Sequence, residues 1–285
     1  MITVYIGGGL ANKMFQYAFS LNIKKQGFDV RYDTHTFQTE FEHDQVRLDE
    51  IFQYIDLPES TEVFFAVGKN SRLWRLYKKL SPRYIMESAY QYNSKIFQTL
   101  QDGCLVESSW QDERYFTEVE NEVRKAFIFP ALQDKRNIEM AEQMKESNSV
   151  AIHIRKGDGY NTWNIFQGTC TKEYYAKSLA YIKAHVDNPK FFVFTDCPDV
   201  VKEYLDIETY VLINWNPTKG PQNYLDMQLM SCAQHNIIAN STYSWWGAWL
   251  NPNKNKIVIG PKHWFNPDCK YANVNHVVPR SWIKL

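Results

Sequence analysis

From Val150 to Ile259, short apolar runs of strand length alternate with helix-length segments, and nothing else in the chain restricts its possible folds so tightly. Val150–Ile154 reads as a strand, Lys172–His185 as a helix and Phe191–Thr195 as a strand. Pro198–Leu205 reads as helical, Tyr210–Ile213 as a short strand and Asn223–Cys232 as a helix. Asn236–Ala239, Ser244–Leu250 and Lys256–Ile259 complete the series as strand, helix and strand. Such alternation predicts a parallel sheet with binding groups at its strand ends. The first forty residues repeat the pattern. A strand Ile2–Ile6 precedes a glycine loop, and a helix over Asn12–Gln26 carries Met14, Phe15, Ala18, Phe19 and Ile23 at three-to-four-residue spacing. Gly27 is placed to end that helix, and Phe28–Tyr32 alternates as a strand. The expectation is an α/β chain with two Rossmann-like domains facing across a cleft. The polar run Glu142–Ser149 predicts the linker, dividing the chain into 1–145 and 146–285. Between them, Leu73–Leu80 and Tyr115–Phe127 read as helices, the second closed by Pro130.

Charge narrows the partners. The 32 basic and 32 acidic side chains cancel, so the chain has no global field for nucleic acid, and any phosphate binding must be local. The five cysteines are scattered without Cys-x-x-Cys spacing, which argues for free thiols in a reducing compartment and against a zinc site. No apolar run reaches the length of a membrane span, so a cytoplasmic protein is expected, with a peripheral place at the inner membrane left open.

Three stretches can carry chemistry. Gly7-Gly8-Gly9-Leu10-Ala11-Asn12 partly fits Gly-x-Gly-x-x-Gly, with Asp33 where a ribose-binding acid would stand. A dinucleotide-dependent oxidoreductase is therefore one reading. Asn12 replaces the third glycine, so a loop approached closely by another ligand, or a plain strand-to-helix turn, are the others. In Val150–Asp158, His153, Arg155 and Gly157 share one face of the strand. Arg155 presents the donor fork of a diphosphate clamp, or else pairs with Asp158 on the surface. In Asn236–Leu250, a strand runs through Ser241, Thr242 and Ser244 into a helix. Those hydroxyls cap the helix, or its N-terminus binds an anion. Trp245, Trp246 and Trp249 read as core. No Asp-x-Asp pair or His-x-x-x-His spacing is present, so a bound diphosphate would have to be neutralised without metal.

These stretches resemble the bacterial α-1,2-fucosyltransferases. The resemblance runs through Gly8-Gly9-Leu10-Ala11-Asn12-Lys13-Met14-Phe15-Gln16-Tyr17-Ala18 and His153-Ile154-Arg155-Lys156-Gly157-Asp158. It continues through Trp110-Gln111-x-Glu113-x-Tyr115-Phe116, Cys170-x-x-Glu173-Tyr174-Tyr175 and Asn240-Ser241-Thr242-Tyr243-Ser244-Trp245-Trp246-Gly247-Ala248. It covers nearly the whole chain but matches little over 34–100. Ala11, Lys13 and Lys156 depart from the family pattern.

The resemblance implies a GT-B architecture, with an acceptor-side domain over 1–145 and a GDP-fucose-binding domain over 146–285. It implies inverting transfer of L-fucose from GDP-β-L-fucose to the 2-hydroxyl of a terminal galactoside, with no metal or other cofactor. The acceptor would be a galactose-containing oligosaccharide or glycolipid. Carried over, His153 and Asp226 sit at the guanine, Arg155 at the β-phosphate, Ser241 and Thr242 at the diphosphate and Asn12 near the fucose. Ser244 and the Trp110–Glu113 segment join the substrate-binding set. Asp158 and Glu113 are both possible bases, and the sequence does not choose between them. A nonenzymatic nucleotide- or carbohydrate-binding protein is the rival from a different class.

Overall fold

The computed structural model describes all residues except 35–45, 59–71, 88–89, 158–163, 272–273 and 275. The chain divides into two compact units, Met1–Ile128 and Phe129–Leu285. The first contains, in order, β1 (Ile2–Tyr5), α1 (Leu10–Lys25), β2 (Val30–Asp33), α2 (Leu48–Ile51), α3 (Arg72–Leu80), β3 (Tyr84–Ile85), α4 (Ile96–Thr99), β4 (Leu105–Val106) and α5 (Glu120–Ala126). Its four strands form a parallel sheet in the order β2-β1-β4-β3. Helix α1 forms where periodicity predicts it, and Met14, Phe15, Ala18, Phe19 and Ile23 are all fully buried. Gly27 follows it at φ 91°, its N–H on the Lys24 carbonyl, which closes the helix as expected.

Tyr115–Phe127 is only partly helical. Two 3₁₀ turns, Glu113–Tyr115 and Thr117–Val119, precede α5. The Asp112 carboxylate accepts the Arg114 N–H and tightens the first turn. Phe116 then leaves helical dihedrals (φ −137°, ψ 11°) while its ring is fully buried. The aromatics here build core: Trp110 stacks on Phe19 at 4.1 Å, with Tyr115 edge-on to Trp110 at 5.4 Å.

The second unit contains α6 (Lys135–Lys145), β5 (Ser149–Ile154), α7 (Lys172–His185), β6 (Lys190–Thr195), α8 (Val201–Tyr204), β7 (Val211–Ile213), α9 (Leu225–Cys232), β8 (His235–Ile237), α10 (Thr242–Leu250), β9 (Val258–Gly260) and β10 (Ile283–Lys284). All six strands are parallel, in the order β10-β9-β8-β5-β6-β7. The run Glu142–Ser149 is not a linker. Residues 142–145 end α6, whose Ala141 and Met144 pack against Phe192, Phe194, Ile213 and Leu229, and Ser149 already begins β5. The division therefore falls at Ile128/Phe129 rather than after residue 145. Because α6 buries only the narrow stripe Asn137, Ala141 and Met144, its other residues read as a polar connector.

Strand β5 also differs from the expected one-sided strand. All six of its residues are buried, with Val150, Ile152 and Ile154 in one apolar cluster and Ala151 in another, as both faces of a parallel sheet require. Trp245, Trp246 and Trp249 are core, as predicted. All five cysteines are free. Among the described residues no helix is long and apolar enough to cross a membrane.

Candidate active site

In the second unit the chain leaves β5 toward β6 and β7, then returns across the sheet to build β8 on the other side of β5. The β5/β8 gap is thus the topological switch point, where an open parallel sheet leaves a crevice at its carboxyl edge. His153 and Arg155 stand at that end of β5, and Ser241 follows β8. Two of the three stretches singled out in the sequence are thereby brought side by side.

Tyr243, which sequence reasoning passed over, ties them together. Its hydroxyl donates to the Asn223 carbonyl (2.5 Å) and accepts the Met227 N–H (2.9 Å) at the start of α9. Its ring centroid lies 6.3 Å from that of His153. His153 is buried, and its Nδ1 has no hydrogen-bond partner among the described residues. Burial, opposed by Asp196 and assisted by Arg155, lowers its pKa to about 4, so the ring is neutral. Asp226 stands in the first turn of α9, where the Asn216 amide donates to its Oδ1 at 2.7 Å. Burial raises its carboxyl to about 6, against the lowering effect of that amide. Asn216 is itself held by Asn137, whose side chain also accepts from the Trp215 indole.

Arg155 forms its ion pair with Asp196, just after β6. The pairing with Asp158 cannot be compared, since Asp158 lies outside the described residues. Asp196 also accepts the Lys156 N–H at 2.9 Å. A Cβ on Gly157 would lie 2.9 Å from the Asp196 carboxyl carbon and 3.2 Å from its backbone oxygen, so only glycine fits this approach. The acid directly after a β6 run ending in Thr195 was the available signal for Asp196. Ser241 occupies the N-cap of α10 but makes no side-chain cap hydrogen bond. Capping therefore does not account for this hydroxyl. Ser244 is buried, and its hydroxyl donates to the Ser241 carbonyl at 3.2 Å, which makes it part of the turn.

The first unit has its own switch point between β1 and β4. The glycine loop follows β1, and Gln111 follows β4, with its amide donating to Asn12 Oδ1 at 3.1 Å. Lys13, a departure from the family pattern, is buried with its ammonium on the Val46 carbonyl at 2.7 Å. Trp110, placed by the resemblance in the substrate-binding set, is 0% exposed, with its ring packed on Phe19 rather than open to a ligand. Its backbone is left-handed (φ 51°), a conformation that costs a non-glycine residue about 1 kcal/mol or more. Glu113 begins the following 3₁₀ turn and is half-buried. Glu87, unforeseen in the sequence, is buried with its carboxyl raised by desolvation to about 7.

The family model for glycosyl transferase family 11 matches residues 1–285. The chain belongs to that family. It is 30% identical over 293 residues to an alpha-1,2-colitosyltransferase of Escherichia coli, covering 100% of this chain and 99% of that protein. An Escherichia coli O-antigen biosynthesis glycosyltransferase, WbnK, is 35% identical over 144 residues, 50% of this chain and 46% of its own. Among solved structures, a NodZ alpha-1,6-fucosyltransferase soaked with GDP-fucose superposes with a TM-score of 0.52 at 11% identity, covering 88% of this chain and 92% of its own. Arabidopsis thaliana FUT1 in complex with GDP gives 0.50 at 12%, covering 90% and 69%. The chain is thus a family 11 glycosyltransferase with the two Rossmann-like units of the GT-B fold. The dinucleotide oxidoreductase reading of Gly7–Asn12 and the nonenzymatic binding protein are set aside by this membership.

Proposed function

We propose that this glycosyltransferase moves L-fucose from GDP-β-L-fucose to the 2-hydroxyl of a terminal galactoside, forming an α-1,2 linkage. The observation that carries the nucleotide half is the convergence of His153, Arg155, Asp226, Ser241 and Thr242 around one switch point. An anionic Asp226 can accept from the two adjacent donors of guanine, while adenine presents one donor beside an acceptor. The vacant Nδ1 of a neutral His153 offers the base a further buried partner. Arg155, oriented by Asp196, supplies donors to the diphosphate, and the open N-terminus of α10 adds N–H groups and a favourable dipole. As the anomeric C–O bond breaks, charge moves onto the β-phosphate. Donors already aimed there bind that charge better than the ground state and lower the barrier.

Asn12, paired with Gln111, is assigned to the sugar side of the reaction. The acceptor proton goes to Asp158 or Glu113. No metal or other cofactor takes part in this scheme. The alpha-1,2 in the name of the Escherichia coli relative supports the linkage, although that name gives a colitosyl group. The test is a panel of galactosides incubated with GDP-fucose, with product linkage read by NMR. Fucosylation at a position other than the 2-hydroxyl, or turnover with a different donor only, overturns the assignment.

A further inference from the structure

One stretch departs from the balanced charge of the chain. Between Glu62 and Glu87 lie Lys69, Arg72, Arg75, Lys78, Lys79 and Arg83, with no acidic residue among them. Most of these cations fall on α3. One side of that helix is fastened to the first unit's sheet: Lys78 Nζ reaches Glu107 at 2.7 Å, and Tyr77 packs edge-on against Tyr84 at 6.4 Å. Glu107 also accepts from the Tyr84 hydroxyl at 3.0 Å.

The other side faces solvent. At about 100° per residue, Arg75, Lys79, Arg72, Leu76 and Leu80 follow one another around a continuous arc of about 140°. Arg72, Arg75 and Lys79 are exposed and make no ion pair among the described residues. Leu76 is 52% and Leu80 67% exposed, and with Met86 at 58% they are the three most exposed large apolar side chains among the described residues. Water solvates the cations readily, but it does not account for two bare leucines set beside them.

We infer that the outward face of α3 is a docking surface for an anionic lipid bilayer. Phosphate groups at the surface meet Arg72, Arg75 and Lys79, while Leu76 and Leu80 enter the boundary of the acyl chains. Charge complementarity alone would also suit a nucleic acid. The leucines decide for lipid, because a polyphosphate groove gives them nothing to enter. This inference goes beyond the proposed reaction and does not depend on its donor or acceptor.

The test is flotation of the purified full chain with vesicles of phosphatidylcholine alone and of phosphatidylcholine with phosphatidylglycerol. Binding is expected only to the anionic vesicles and should weaken steeply with added salt. Each basic residue near such a surface contributes about fivefold, so Arg72→Glu, Arg75→Glu and Lys79→Glu together should lower partitioning by at least about a hundredfold. Leu76→Ser with Leu80→Ser leaves the charge intact and should lower it about tenfold or more. Thermal unfolding, which does not involve turnover, checks that both variants fold. Equal binding to neutral vesicles, undiminished binding by the charge-reversed chain, or an unaffected leucine variant overturns the inference. So does duplex DNA binding as tightly as the anionic vesicles at the same salt.

Discussion

Replacing Asp226 with Asn should make the protein more stable while weakening its grip on GDP. A carboxyl moved from 3.8 to about 6 by burial is one whose anion the folded state holds less well than the unfolded chain does. At 1.36 kcal/mol per pH unit, that difference is about 3 kcal/mol at neutral pH. Below about pH 3.8 both states hold the proton and the charge costs nothing. As pH rises through about 6, the unfolded chain has already ionised and stability is lost. Asp226→Asn removes the charge, and the Asn216 amide can still donate to the remaining oxygen. Allowing for imperfect pairing of the new amide, the apo variant should gain about 1–3 kcal/mol at pH 7. For a chain of this size that is roughly 2–4 °C in Tm for each kcal/mol. The assay is thermal unfolding of both proteins from pH 4 to 7, with calorimetric titration of GDP and ADP. The gap in Tm should open across that interval, GDP affinity should fall about a hundredfold, and weak ADP binding should change little. A gap that is flat with pH, or a variant less stable at pH 7, refutes the electrostatic reasoning. Equal loss for both nucleotides, or for neither, refutes base reading.

Arg155→Ala should lower kcat/KM at least about a hundredfold, since a charged hydrogen bond contributes roughly 1.5–3 kcal/mol, and Arg155→Lys should rescue little; steady-state kinetics on the folded variants decides it. Gly157→Ala puts a methyl 2.9 Å from the Asp196 carboxyl, and titration should show GDP affinity down about tenfold with a stability loss of about 1–3 kcal/mol. Because the Ser241 hydroxyl makes no cap bond, Ser241→Ala and Thr242→Ala should weaken GDP binding by calorimetry while costing no more than about 1 kcal/mol in stability. Excess EDTA should leave initial rates unchanged, and activity lost to chelator and restored by Mn²⁺ or Mg²⁺ would contradict the metal-free scheme.

The second unit was legible because its elements are long or strongly patterned. Lys172–His185 matches α7 residue for residue, and the ends of strands β5 to β9 fall within one or two residues of those expected. The misses have particular physical causes. Strands β3, β4 and β10 are two residues each, too short for any alternation to register, and their pairing is decided by neighbours distant in sequence. Helix α6 was hidden because contact with the second sheet needs only a narrow stripe, so charge on its other positions outweighed its period.

The site divides along the same line between local and long-range information. His153, Arg155, Ser241 and Thr242 were legible because each belongs to a strand end or helix start that the sequence marks. What a local pattern could not state is the company those residues keep. Arg155 pairs with Asp196, just after the neighbouring strand β6, because parallel pairing sets Ile154 beside Thr195 and brings the two loops together. Tyr243 has no role of its own in the sequence reading. Its hydroxyl bonds the Asn223 carbonyl and the Met227 N–H at the start of α9, while its ring centroid lies 6.3 Å from that of His153. Trp110 erred the other way. The resemblance puts Trp110 in the substrate-binding set, yet stacking on Phe19 buries it completely, and after its left-handed backbone Gln111 donates to Asn12. A residue can therefore belong to a site's motif without touching what binds there, by fixing the direction of its neighbour.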